Sequence, residues 1–208
     1  LLAAQAAALV DAPVTRRTFG AFVHDDLVQF SLADLRRSLP SAIDGLKPSQ
    51  RKVLYACFAK GLLPSSGEIK VAQLAGFATE ATAYHHGEAS MHATIVHMAQ
   101  GFVGSNNVPL LEPCGQFGTR AEGGKDAASA RYIFTRLSPL TPLLFPPADF
   151  PTLDYVTEDG QLVEPVHYVP VLPTLLLNGS SGIGTGWSTN SYGYHPLDVL
   201  DNVLANAE

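Results

Sequence analysis

Cysteine is nearly missing from this 208-residue chain: Cys57 and Cys114 stand 57 positions apart, with no partners at metal-ligand spacing. That excludes a disulfide framework and a zinc ribbon, and points to two reduced core thiols of an intracellular protein. A disulfide between them is the lesser alternative. No apolar run approaches the roughly 20 residues that a membrane helix needs, so no membrane partner is expected. The opening Leu1–Val10 is rich in alanine and lacks a basic leader, and reads as a helix, not a signal peptide. No Asp-x-Asp pattern occurs, and the adjacent pairs Asp25-Asp26 and Glu158-Asp159 do not replace one. Lysine and arginine are missing altogether after Arg136.

The net charge of −6 speaks against a nucleic-acid partner until its distribution is read. Residues 1–136 hold all 13 Lys and Arg and carry +2, whereas residues 137–208 carry −8. A basic surface is therefore available to the first two thirds only, with an ordinary solvated face as the plainer reading.

The apolar spacing is helical from Phe30 to Leu63. Ser31 can cap a first helix that carries Leu32, Leu35 and Leu39 and stops at Pro40. Pro48 opens a second helix at a position where its missing N–H costs nothing. That helix puts Val53, Leu54, Cys57 and Phe58 on one face and lets Arg51, Lys52 and Lys60 project from the other, with Gly61 at its end. Two further stripes follow, Val71-Leu74-Ala75-Ala78 and Met91-Ile95-Met98-Phe102, around the polar corner Thr82–Gly87. Helix, corner and helix fit a helix-turn-helix unit, and the Gly- and Asn-rich stretch 101–126 suits the strands and loops of a wing. Residues 139–173 contain 8 of the 15 prolines, which disfavours long helices there. Val166–Leu177 reads as short strands ending at the loop Asn178–Trp187, and Asp198–Ala207 as the start of another helix.

Motifs along the chain occur in one order. They include Phe30-Ser31-Leu32-Ala33-Asp34, Asp44-Gly45-Leu46-Lys47-Pro48, Ile69-Lys70-Val71-Ala72-Gln73-Leu74-Ala75, and Thr82-Ala83-Tyr84-His85-His86-Gly87-Glu88. Further on come Phe102-Val103-Gly104-Ser105-Asn106-Asn107, Phe117-Gly118-Thr119-Arg120, Gly123-Gly124-Lys125-Asp126, Ala130-Arg131-Tyr132-Ile133-Phe134-Thr135, and Gly182-Ile183-Gly184-Thr185-Gly186-Trp187-Ser188. Together they resemble the breakage-reunion region of type IIA DNA topoisomerases, in the eukaryotic and large-DNA-virus topoisomerase II branch, over roughly residues 25–200. The resemblance implies an α+β chain. An N-terminal linker or helix (1–24) precedes a winged-helix domain (25–145), which is followed by the beginning of a β-rich tower domain (146–208). It further implies a segment of an ATP-dependent enzyme that cuts, passes and reseals duplex DNA as a homodimer. Such an enzyme uses Mg²⁺ and ATP held elsewhere, and works in the nucleus or, for a virus, at a cytoplasmic replication site. With no cofactor expected to bind in this segment, the isolated chain is expected not to relax DNA.

The resemblance gives Tyr132 the attack on a DNA phosphate. A phenol with a pKa near 10 is only about one part in a thousand ionised at pH 7, so it needs help. The adjacent guanidinium of Arg131 suits a phosphate whose oxygens gain charge. Arg51 and Lys70 resemble DNA-contacting positions near the cut, and Arg120 and Lys125 are weaker candidates on a glycine-rich stretch that can approach a backbone closely. His85 and His86 diverge as neighbours and lack other metal ligands nearby, which speaks against a metal site. The resemblance implies a histidine of this corner near the phosphate, His86 first and then His85, with a hydrogen-bonded turn as the plainer reading. The stretch around Ile183 mimics a nucleotide-cradling loop. It has no Gly-Lys-Ser/Thr end, and Trp187 holds the last fingerprint position. The resemblance implies instead that Ile183, an apolar side chain between two glycines, wedges into a base step and kinks the duplex, the alternative being a core residue. Two competitors to the enzyme reading are a noncatalytic winged-helix DNA-binding or scaffold module and, more weakly, a tyrosine recombinase. The latter usually surrounds its tyrosine with an Arg/His/Arg set.

Overall fold

The computed structural model describes residues 16–207. The helix read at Leu1–Val10 lies outside the described residues. The described chain enters through an α turn, Phe19–Ala21, whose Ala21 N–H donates to the Thr18 hydroxyl at 3.1 Å. A π segment, Phe22–Leu27, leads into helix α1 (Val28–Ser38). Ser31 does not cap that helix. It lies inside, and its hydroxyl donates to the Leu27 carbonyl at 2.8 Å, the back-bonding open to a mid-helix serine.

Helix α2 (Pro48–Ala59) starts on Pro48, with the Lys47 N–H donating to the Gln50 side chain at 2.8 Å. Helix α3 (Val71–Ala81) buries Val71, Leu74, Ala75 and Ala78, the stripe that the spacing predicts. Helix α4 (Glu88–Ala99) buries Met91, Ile95 and Met98, whereas Phe102 falls beyond its end. The three helices pack on one another and on a three-stranded antiparallel sheet in the order β1 (Ile69–Lys70), β3 (Phe134–Leu137), β2 (Leu111–Cys114). Pro113, which has no N–H to give, sits on the edge strand β2. Leu54, Leu74, Ile95, Leu111, Ile133 and Leu137 are fully enclosed between helices and sheet.

Beyond the sheet come α5 (Thr141–Leu144), a 3₁₀ segment Pro147–Thr152, and the hairpin β4 (Tyr155–Glu158) with β5 (Gln161–Pro165). Helix α6 (Thr174–Asn178), the hairpin β6 (Ser180–Gly184) with β7 (Trp187–Ser191), and α7 (Pro196–Asn206) complete the described chain. The strands read at Val166–Leu177 are not there. Pro170 and Pro173 cannot donate to a ladder, and Thr174 begins a helix instead. The stretch 178–187, read as a loop, is largely one arm of the β6–β7 hairpin. Phe145, Tyr168, Leu177 and Val199 join the same core as α2–α4, so the acidic last third is built onto the basic part.

Candidate nucleic-acid interface

Tyr132 lies on a turn rather than a regular element, and the turn is pinned from both sides. The first two amides of α3 are donors without partners inside the helix. Here Val71 N–H donates to the Ile133 carbonyl and Ala72 N–H to the Ala130 carbonyl, each at 3.0 Å. Tyr132 N–H closes the turn on the Ser129 carbonyl at 2.8 Å. Ala130 and Ile133 are buried, so the tyrosine between them faces out, and it is 74% exposed. Arg131 is exposed beside it. Lys70, also exposed, pairs across the sheet with Phe134, its ammonium 5.9 Å from that ring's centre. A phenol, a guanidinium and an ammonium thus share one rim on a rigid base.

Arg120 and Lys125 are exposed on the glycine-rich loop that adjoins this turn. The loop is ordered by its own bonds. Asp126 accepts from the Thr119 N–H at 2.7 Å and from its hydroxyl at 2.8 Å. These bonds, the backbone one foremost, hold its carboxyl below the ordinary range against a smaller effect of burial. From below, the buried Gln100 amide donates to the Phe117 carbonyl at 2.8 Å and the Gly124 carbonyl at 3.3 Å. Gly124 has a φ of +80°, and a Cβ there would lie 2.4 Å from Gln100 Nε2, so only glycine fits.

His85 and His86 stand at the far end of α3, roughly 16 Å along its 11-residue axis from the tyrosine turn. Both are exposed. His85 Nε2 lies 3.1 Å from the Asp159 carboxylate, and His86 packs edge-on against buried Tyr84 with ring centres 5.2 Å apart. They line a cleft of about 330 Å³ with Arg37, Ser49, Lys52 and Glu158. Ile183 is 84% exposed near the tip of the β6–β7 hairpin, which removes the core alternative for it.

Arg51 departs from expectation. Far from projecting outward, it is 6% exposed, and its Nε and Nη2 donate to the fully buried Asp44 carboxylate at 2.7 and 3.0 Å. Nη2 also reaches the Leu46 carbonyl at 3.1 Å, so the guanidinium braces the start of α2 and presents no free fork to a phosphate. Lys52, likewise expected to project, is enclosed: its ammonium donates to the Thr82 carbonyl and to Glu158 and Glu164 at 2.7, 2.9 and 3.0 Å. The reason is that α2 is covered on its second face too, by the β4–β5 hairpin. Burial of Glu164 raises its pKa despite Lys52. This ion cluster was not legible in a periodic pattern, because its members lie up to 112 positions apart. Among the described residues no group of three or more His, Cys, Asp or Glu is arranged to hold a metal ion, and no helix is long and apolar enough to cross a membrane. Cys57 is buried and Cys114 half-buried, both as free thiols, and burial pushes them up to about 12 and about 11.

Comparison with known proteins gives the family. Residues 37–208 match the family of DNA gyrase/topoisomerase IV A subunits. DNA topoisomerase 2 of Drosophila melanogaster is 55% identical over 186 residues, covering 89% of this chain and 13% of that protein. DNA topoisomerase 2 of Saccharomyces cerevisiae is 56% identical over 182 residues, covering 88% of this chain and 12% of that protein. The chain thus spans about an eighth of the length of these relatives. The crystal structure of the Plasmodium falciparum topoisomerase II DNA-binding, cleavage and re-ligation domain superposes with a TM-score of 0.84 at 53% identity. It covers 90% of this chain and 25% of that one. A mixed helix-and-strand fold with an outward tyrosine on a basic rim, and identity above half across nine tenths of the chain, lead to one conclusion: this chain belongs to the type II DNA topoisomerase family and is homologous to its breakage-reunion region.

Proposed function

We propose that this chain supplies the strand-cutting nucleophile of a complete type II DNA topoisomerase. The observation that carries the reading is the outward Tyr132 on a turn locked to the first amides of α3, beside Arg131 and Lys70. Helices α2–α4 and the β1-β3-β2 sheet act as a winged-helix platform, with the 115–126 loop as its wing and the segment from 146 onward as the start of the tower.

On this platform the Tyr132 oxygen attacks a backbone phosphorus. A new P–O bond forms to the phenol while the bond to a sugar oxygen breaks. The phenolic proton leaves, and a proton is taken up by the departing sugar oxygen. Arg131 holds the non-bridging oxygens as charge builds on them, in the manner of a preorganised donor. The phosphotyrosyl link keeps the energy of the broken bond, so the same sugar oxygen reseals the strand by the reverse attack. Lys70, Arg120 and Lys125 fix the duplex by its phosphates and carry no sequence information, while the His85–His86 cleft receives a phosphate further along the path. Ile183 wedges into a base step and bends the duplex. The phosphate interactions that the bend permits offset an unstacking cost of a few kcal/mol. Arg51 acts at one remove, by holding the loop before α2.

The residues here do not fit a divalent ion, since no acidic cluster of the required kind exists among those described. Mg²⁺ and ATP belong to other parts of the enzyme. Cutting both strands takes two copies of Tyr132, hence a homodimer acting on duplex DNA, in the nucleus.

Tyr132→Phe in the full-length enzyme tests the assignment. The expected result is complete loss of covalent protein–DNA adducts, measured after denaturant quench, with DNA affinity retained within about twofold, since one hydroxyl is removed. Adduct formation at the parental level would reject it in favour of a noncatalytic DNA-binding module.

A further inference from the structure

Asp34 is half-buried on α1, 151 positions before the residue it holds. Its Oδ2 accepts the Thr185 N–H at 2.8 Å and the Thr185 hydroxyl at 2.9 Å, while Oδ1 accepts from Arg37 at 3.0 Å and Ser38 at 3.3 Å. Thr185 and Gly186 form the two-residue turn between β6 and β7, directly after Ile183 and Gly184. The strand itself lies flat on α1. A Cβ at Gly182 would come within 2.3 Å of the Ser38 carbonyl oxygen, and one at Gly184 within 2.8 Å of Leu35 Cδ2. Those two glycines face α1, so strand alternation turns Ile183 away from it, to solvent.

The base of the hairpin is held separately. The Asn178 side chain accepts from Val108 N–H at 2.7 Å and donates to the Val108 carbonyl at 2.9 Å. Asn107 donates to the carbonyls of Leu177 and Tyr194 at 2.8 and 3.1 Å. There are thus two anchors, one at the base and one under the tip, and only the second bears on where Ile183 points.

We infer that Asp34 is a positioning residue for DNA bending: its carboxylate locks the 185–186 turn onto α1, so that Ile183 meets a base step on a tip that cannot yield. This rests on the reading of Ile183 as a wedge. A wedge on a loose hairpin deflects when it meets stacked bases, whereas one backed by a helix transmits the force. Hydrogen bonds from the Thr185 hydroxyl and N–H and from Arg37 and Ser38 hold the Asp34 carboxyl below its ordinary range, the hydroxyl contributing most. The acceptor therefore stays charged at neutral pH.

The test uses the full-length enzyme and a duplex carrying donor and acceptor dyes at its ends, with bending read as energy transfer and affinity read separately. Asp34→Ala is expected to lower the bent-to-straight ratio about tenfold, the effect of losing one or two charge-assisted bonds. DNA affinity should stay within about threefold on the same scale. Thr185→Val should shift bending in the same direction, and it keeps Asp34 with its bonds to Arg37 and Ser38, so it carries the test should Asp34→Ala disturb α1. Thr185→Ser, which retains both donors, should bend as the parent does. Combined with Ile183→Ala, Asp34→Ala should cause no further loss, because both act through one tip. Parental bending by Asp34→Ala and Thr185→Val, or losses that multiply in the double variant, would overturn the assignment while leaving the wedge intact. Equal bending by the parent and Ile183→Ala would overturn the wedge reading and the assignment with it.

Discussion

Arg51→Met is the substitution that separates a brace from a DNA-binding group. Methionine keeps much of the apolar stem of arginine and removes three bonds: two to the Asp44 carboxylate at 2.7 and 3.0 Å and one to the Leu46 carbonyl at 3.1 Å. Asp44 is 0% exposed, and it retains only the N–H groups of Leu46 and Tyr168, at 3.0 and 2.9 Å. Removing one partner of a buried ion pair leaves an uncompensated charge and costs about 3–5 kcal/mol. In the intact enzyme, hydrogen exchange over residues 41–54 and 165–178 should accelerate by about two to four orders of magnitude, where local opening sets the rate. Residues 88–99, which make no hydrogen bond to the pair, should change far less. DNA binding gives the second reading. The slope of log affinity against log salt falls by about 0.9 for each phosphate that is no longer neutralised. It should hold for Arg51→Met and fall by about that amount for Lys70→Met. Unchanged exchange together with a lower slope in Arg51→Met would refute the reasoning and return Arg51 to the DNA surface.

Two further predictions concern the wing loop. Because the folded Asp126 carboxyl titrates below its ordinary value of 3.8, its contribution is fully present above that value and is lost as pH falls through the folded one. Asp126→Asn should therefore speed exchange over 118–126 at pH 7, with the gap to the parent closing as pH drops below 3.8; a gap independent of pH would contradict this. Gly124→Ala forces a side chain into a positive-φ site 2.4 Å from Gln100 Nε2 and should cost about 1–3 kcal/mol and loosen Arg120 and Lys125. Gly123→Ala, at φ +59° but facing open space, should cost less, and a reversed order in exchange or thermal shift would count against the geometry.

Residues 1–136 hold every Lys and Arg, yet the partition of charge did not mean that all of them face a partner. Part of the acidic last third neutralises one of them inside the molecule: Glu158 and Glu164 meet the enclosed Lys52. Composition reports totals. It does not report which charges are enclosed, and that is why Lys52 and Arg51 do not project as the helical spacing predicts. Ser31 departs from the expected cap for a related reason. A serine before an apolar run signals a cap only if the helix begins there, and here the helical path begins earlier, at Phe19.

The amino-acid order alone determined what depends on neighbours in the chain. The stripe Val71-Leu74-Ala75-Ala78 and the entry of α2 at Pro48 follow from periodicity and ring chemistry, whereas the roles of the Arg131-Tyr132 pair and of Ile183 between its glycines are what the ordered motifs imply by resemblance. Tertiary structure alone decided what depends on residues brought together from afar. It set the burial of Arg51 on Asp44, the Lys52 cluster that ties α2 to the β4–β5 hairpin, and the pairing of Asp34 with Thr185. Helices and tight turns are governed by interactions a few residues apart. Whether a charged side chain meets solvent or braces the core is governed by what folds over it, and nothing in its own segment records that.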